Sequence, residues 1–191
     1  PGREDLLLRL AQAGCYVPAF YDVEYLEDGR IRRVAPNRPD VPWRVAKHTV
    51  MDLDEWPYPK SPLVPIAESV HERMSVEIFR GCTRGCRFCQ AGMITRPVRE
   101  RPAAQVRTMI ENGLQRTGYD EVSLTSLSTA DFSGIEQLTN SLSAMSCGTS
   151  DNLTVSLPSL RVDAFTVGLA GQVSGGRRSG LTFAPEAGSW R

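Results

Sequence analysis

Twelve consecutive residues constrain this chain more than any other stretch. They are Arg80-Gly81-Cys82-Thr83-Arg84-Gly85-Cys86-Arg87-Phe88-Cys89-Gln90-Ala91, and they carry three of the five cysteines at CxxxCxxC spacing. Three thiols so close together read as metal donors. A structural zinc site takes four protein ligands, so three leave two readings: a distant fourth ligand, or an iron–sulfur cluster with one iron open for chemistry. The remaining cysteines, Cys15 and Cys147, stand apart. Cys15 is read as a small buried apolar residue rather than a ligand. An odd total with three in metal spacing argues against a disulfide framework and for a reducing, cytoplasmic setting.

Charge excludes some partners. Lysine plus arginine number 22 and aspartate plus glutamate 22, so no overall basic field points to nucleic acid or a membrane surface. Locally the balance differs: between Arg80 and Arg107 stand Arg80, Arg84, Arg87, Arg96, Arg99, Arg101 and Arg107 against a single acid, Glu100. These arginines either compensate an anionic thiolate site and cap helix ends, or form a docking face for an acidic electron donor or an anionic substrate. No apolar run reaches the roughly 18 residues of a membrane helix, and no signal-peptide pattern opens the chain. With Pro1 at one end and Trp190-Arg191 directly after a strand and its exit loop at the other, the chain is expected to be a piece of something longer.

Hydrophobic periodicity sets the organisation. Arg3 to Ala13 predicts a short helix with Leu6, Leu7, Leu10 and Ala11 on one side and Gly14 ending it. Tyr21 to Leu26 and Arg30 to Val34 flank Asp28-Gly29, a tight-turn signal for a hairpin. Prolines recur from Pro36 to Pro65, so this stretch reads as an extended connector on a neighbouring domain, with the boundary placed there. His48 and His71 share no spacing with each other or with a carboxylate and read as surface or structural, although His71 is near enough to Cys82 to serve as a fourth ligand.

From Met74 onward strands alternate with helices. Strands are predicted at Ser75–Phe79, Glu121–Thr125, Leu153–Leu157 and Gly180–Ala184, and helices at Pro102–Gln115, Gly134–Met145 and, more weakly, Val162–Val173. Their apolar faces are Val106, Met109, Ile110 and Leu114, then Ile135, Leu138, Leu142 and Met145, with Pro102 expected at the first helical position. Such alternation argues for consecutive right-handed parallel units, whose active groups collect on the loops leaving the strands' C-terminal ends. Each unusual polar segment falls there: the cysteines, then Ser126 to Asp131, then Pro158 to Arg161, then Pro185 to Ser189.

The motif Cys82-x-x-x-Cys86-x-Phe88-Cys89, directly after the first strand, resembles the cluster loop of the radical S-adenosylmethionine enzymes. The resemblance implies an α/β fold, a partial, TIM-like (β/α) barrel of about four strands and three helices, preceded by an irregular linker with a β-hairpin. It implies that Cys82, Cys86 and Cys89 bind three irons of a 4Fe-4S cluster while S-adenosylmethionine chelates the fourth. It also implies reductive cleavage of that cofactor to a deoxyadenosyl radical that abstracts a substrate hydrogen, the cofactors carrying the hard step. Gly81 and Gly85 would let backbone approach the cluster. Phe88 would face the adenine. Ser126 and Ser128 occupy the place of the family's Gly-Gly-Glu-like segment, from which they depart. Arg161 is the candidate for the carboxylate or ribose, and Glu186 for a ribose hydroxyl or the substrate, with a structural salt bridge as the other reading of each.

The run IFRGCTRGCRFCQAGMITRPVRER, with LTSLSTADF, LPSLRVDAF and GLTFAPEAGS, is similar to radical S-adenosylmethionine proteins with an N-terminal cobalamin-binding-like domain, and more distantly to methylthiotransferases. On that likeness residues 1–73 are the end of an upstream cobalamin-binding-like domain with hairpin and proline-rich linker, and residues 74–191 are the N-terminal part of the barrel. No Asp-x-His-x-x-Gly cobalamin signature occurs, so cobalamin is implied only for a full-length parent. A low-potential electron donor of flavodoxin or ferredoxin type is implied, no membrane is, and the substrate stays open between RNA, protein and other classes, as does the reaction among methyl transfer, methylthiolation and rearrangement. The competing reading is a non-catalytic zinc or electron-transfer module with Cys147 or His71 as fourth ligand; a position for Cys147 at the end of the second barrel helix, opposite the cysteine loop, counts against it.

Overall fold

The computed structural model describes residues 2–145, 153–164, 166, 168, 171 and 181–185. The chain divides into two compact units, Pro1–Thr49 and Val50–Arg191.

The first unit opens with helix α1, Arg3–Gln12, closed by Gly14 at φ +91°. Strands β1 (Tyr21–Tyr25) and β2 (Ile31–Pro36) pair antiparallel, with a bulge at Glu24/Tyr25. The turn is the predicted one: Gly29 takes φ +80° and the Arg30 amide donates to Asp28 Oδ1 at 3.1 Å. A small core of Ala11, Val17, Phe20, Tyr21 and Val41 holds these pieces, and the Tyr21 hydroxyl donates to Pro42 O at 2.6 Å. Two expectations need correction. Leu6 and Leu10 are exposed, the helix burying Ala11 and partly Leu7 and Leu8 instead, because only that face meets the small core. Cys15 is exposed too, lying past the helix end where nothing covers it.

The second unit is mixed α/β. Strand β3 (Met74–Glu77) is followed by the two-residue β4 (Phe79–Arg80), the short helix α2 (Gln90–Ile94) and β5 (Arg99–Glu100), then helix α3 (Ala103–Thr117) and strand β6 (Glu121–Thr125). Helix α4 (Ile135–Ser143) and strand β7 (Thr154–Ser156) come next. The sheet order is β3-β6-β7, with every pairing parallel, as expected of successive crossover units. Pro102 is the N-cap of α3 rather than its first residue, and Gly118 ends it at φ +73°.

The register explains which face packs. Met74 lies opposite Val122, Val76 opposite Leu124, and Val122 opposite Val155, which makes one apolar face. That face packs in one cluster with Val106, Met109, Ile110 and Leu114 of α3 and Ile135, Leu138 and Leu142 of α4. The alternate positions Ser75, Glu77, Ser123, Thr125 and Ser156 give the sheet a polar second face. A closely approached backbone helps: a Cβ at Gly113 would stand 2.5 Å from Met74 Cε.

The fourth strand is smaller than expected. β8 (Leu160–Arg161) pairs in parallel with β9 (Phe183–Ala184), outside the three-stranded sheet. A 3-10 turn at Val162–Ala164 stands at the start of the helix expected over Val162–Val173, half of whose residues lie outside the described residues. The proline-rich connector has no helix or strand between Asn37 and Arg73. Its second part is bound to the second unit: Arg99 Nη1 donates to Val50 O at 2.8 Å, Arg101 Nη1 donates to Leu53 O, and Gln105 Nε2 donates to Asp54 O at 3.0 Å.

Candidate metal and cofactor site

The cysteine loop is an excursion between the two strands of a minimal ladder. Phe79 pairs with Glu100 and Arg80 with Arg99, so residues 81–98 leave and return at one point beside the end of β3. Gly81 takes φ +100°, and a Cβ there would stand 2.8 Å from Pro97 O and 3.0 Å from Val98 Cα. Only glycine lets the outgoing and returning backbones touch. Gly85 also takes positive φ, +70°, which turns the chain between Cys82 and Cys86.

Cys89 caps α2. Its amide donates to Cys86 O at 3.0 Å, and its Sγ accepts from the Gly92 amide at 3.3 Å. A Cβ at Gly92 would sit 3.6 Å from Cys89 Sγ and 3.7 Å from Cys82 Cβ, so the missing methyl leaves open the space between two cysteines. Arg96 Nε donates to Cys82 O at 3.2 Å. Cys82, Cys86 and Cys89 are all partly exposed, and none is in a disulfide. Among the described residues no three His, Cys, Asp or Glu side chains stand close enough to hold a metal ion, so the loop supplies three donors without closing them on one point. The donor set fits an iron–sulfur cluster: soft thiols, an amide directed at a sulfur, and a small-residue cradle between two of them. For the competing reading, His71 Nδ1 lies 2.7 Å from Arg73 Nη2, and Cys147 lies outside the described residues.

The other strand ends meet this loop. A cavity of about 450 Å³ is lined by Glu77, Phe79, Arg80, Gly81, Thr95, Thr125, Ser126 and Leu127, which brings Ser126 to the cysteine loop. The Ser126 and Thr129 hydroxyls are 3.1 Å apart. Ser128 is only 1% exposed and donates to Asp131 Oδ2 at 2.7 Å, so its side chain braces the loop from within. Thr129 is wholly buried and ties β6's exit loop to β7's: its Oγ1 donates to Pro158 O at 2.5 Å and its amide to Ser159 O at 3.2 Å. Phe88 is 74% exposed. Arg161 is mostly buried and bidentate on Asp163, at 3.0 and 2.6 Å. Glu186 lies outside the described residues.

Most of the arginine run is used internally. Arg80 pairs with Glu77 at 2.7 Å and Arg107 with Glu111 at 2.7 Å, while Arg99 and Arg101 are buried and donate to carbonyls. Arg84, in the spacer between Cys82 and Cys86, donates from Nε to Asp131 Oδ2 at 2.9 Å and from Nη2 to Oδ1. That pair holds the Asp131 carboxyl below its ordinary value against the opposing effect of burial, with the Ser128 hydroxyl helping. Arg84 is raised by the same hydrogen bonds, with smaller charge contributions from Asp131, Asp163 and Cys82. Asp163 is lowered chiefly by its hydrogen bond to Arg161. Residue-type reasoning had no means of choosing Arg84 among seven arginines or Asp131 in its polar loop; their 47-residue separation hides the contact, and only a basic residue inside the cysteine spacing hinted at it.

Among the described residues no helix is long and apolar enough to cross a membrane. Residues 76–165, from within β3 to just past the turn after β8, match the sequence model of the Radical SAM superfamily. An uncharacterised protein of Methanocaldococcus jannaschii is 29% identical over 189 residues, covering 98% of this chain and 37% of that protein. The chain therefore spans little more than a third of that curated relative's length. No solved structure gives a significant match. The cysteine loop after the first parallel strand, the strand-end loops gathered around it and the match across all three parallel strands together support a radical SAM superfamily domain over residues 76–165.

Proposed function

We propose that this chain is part of a radical S-adenosylmethionine enzyme in which Cys82, Cys86 and Cys89 hold a 4Fe-4S cluster. The carrying observation is that the family match begins in β3 and takes in these three cysteines on its exit loop, where two further strand-end loops converge. When bound, such a cluster supplies the electron that cleaves S-adenosylmethionine and starts hydrogen abstraction from a substrate. The protein's own tasks are to ligate, orient and exclude water. The three thiolates would bind as soft, charge-donating ligands, and a three-donor loop leaves one iron free for the cofactor's amino and carboxylate groups. Gly81 and Gly92 keep backbone and space open beside the cysteines. Ser126, lining the adjoining recess, is the best supported of the cofactor contacts. Ser128 and Arg161, both engaged within their own loops, would shape the recess rather than reach into it. Phe88, exposed on the loop, is proposed to lie against the adenine, and Glu186 to serve a ribose or substrate hydroxyl.

In the longer protein, a flavodoxin- or ferredoxin-like donor would supply the electron. Residues 1–73 would comprise the end of an upstream domain with its hairpin and the proline-rich linker, whose part from Val50 onward belongs to the second compact unit, and 74–191 would be the first part of a barrel. Cobalamin would concern only the longer protein.

Anaerobic reconstitution with iron, sulfide, reductant and S-adenosylmethionine tests the reading. About four irons per chain, charge-transfer absorption and release of methionine with deoxyadenosine are expected, and each Cys→Ser change at 82, 86 or 89 should abolish the cluster. Uptake of a single zinc with no cluster absorption would overturn it.

A further inference from the structure

The cysteine loop is tied to the ends of other strands by an ion pair. Both described salt bridges of that loop start from Arg84. Its guanidinium is bidentate on Asp131, and its Nη1 lies 4.0 Å from Asp163 Oδ2. Asp131 belongs to the loop after β6 and Asp163 to the turn after β8. Both acids are themselves held: Asp131 by the Ser128 hydroxyl at 2.7 Å, and Asp163 by the bidentate Arg161. The loop carrying Ser128 is pinned by the buried Thr129. A forked pair fixes orientation as well as distance, so it favours one position of the spacer between Cys82 and Cys86 against these loops.

Four other arginines nearby do different work. Arg80 and Arg107 pair within their own segments, and Arg99 and Arg101 serve carbonyls. Arg84 is thus a cation in the spacer between two cysteines, matched by an acid on the loop after a different strand.

We propose that the Arg84–Asp131 pair is a latch for the cysteine loop with two effects, holding the loop against the strand ends and cancelling a cation that would otherwise bias the electron affinity of a cluster bound there. The second effect rests on the cluster reading above; the first does not. The electrostatics have a definite sign. An uncompensated positive charge beside a redox centre favours its more negative, reduced state and raises its potential, whereas an uncompensated carboxylate lowers it. Asp131→Asn keeps the shape and an acceptor for Ser128 while freeing the cation. Arg84→Gln removes the cation and leaves the acid. In either case the only redox event is one electron passing from the reductant to the cluster.

Two measurements on the whole chain decide the matter. In chelator-treated protein, amide hydrogen exchange over residues 81–92 should be about two- to fivefold faster in both variants than in the wild type, as fits a partly exposed pair. In reconstituted protein, a redox titration followed by electron paramagnetic resonance should show the midpoint potential rising in Asp131→Asn and falling in Arg84→Gln. A purely structural pair would move both potentials the same way. Unchanged exchange overturns the latch, and potentials that stay put or shift together overturn the charge-balancing role. If the wild type takes up no cluster, the functional reading and the charge-balancing role both fall, while the exchange result still decides the latch.

Discussion

The Thr129 hydroxyl, wholly buried, donates to the carbonyl of Pro158 at 2.5 Å and thereby joins the exit loops of two neighbouring parallel strands. The same oxygen lies 3.3 Å from Leu124 O, at the end of β6. One hydroxyl thus sets the spacing of two of the segments that frame the cysteine loop. Thr129→Val keeps the shape but leaves the Pro158 carbonyl without this donor, and should cost about 1–2 kcal/mol in urea unfolding. An unchanged midpoint would mean the loops are held by packing alone.

Gly81 is where the cysteine loop is least tolerant. It combines φ +100° with the carbonyl of Pro97 at 2.8 Å from where a Cβ would be, and that neighbour is backbone, which cannot swing away. Gly81→Ala should therefore lose at least about 2 kcal/mol, from left-handed strain with a clash added. Thermal unfolding within a degree of wild type would show that the loop relaxes.

Gly92 presents the opposite case. It lies inside α2, and a Cβ there would make only ordinary contacts with Cys89 Sγ and Cys82 Cβ. Gly92→Ala should be neutral to stabilising, by up to about 1 kcal/mol of helix propensity, while iron uptake falls because the methyl fills the space between two ligands. Paired measurements of melting temperature and iron content check this; full iron uptake would place the metal elsewhere.

Acid should loosen the strand-end loops through Asp131. Its pairing with Arg84 lowers its pKa below the ordinary 3.8, so the stabilisation is complete above that value and disappears as pH falls through the lowered value. Asp131→Asn should therefore be less stable than wild type at neutral pH and converge with it once the pH has fallen below the lowered value. Urea unfolding across the pH range tests the sign; a stability gap that widens on acidification would contradict it.

Much of this protein is legible in one dimension because the determinants are local. The CxxxCxxC run, the Asp28-Gly29 turn, and the helical repeats Val106/Met109/Ile110/Leu114 and Ile135/Leu138/Leu142 each express a short-range rule of spacing or backbone geometry. Even the parallel order β3-β6-β7 follows from strands alternating with helices of crossover length. What the chain alone left undecided depends on meetings between distant residues. Cys15 and Leu10 look apolar enough to bury, yet lie exposed because the first unit's core extends only to one side of α1. Ser128 looks like a ligand contact and is turned inward onto Asp131, while Arg84, one arginine among seven, finds its acid 47 residues away. Spacing could name the three thiols as donors; which charges and backbones surround them is decided by where the strand ends converge, and that is a property of the packed sheet rather than of any stretch of sequence.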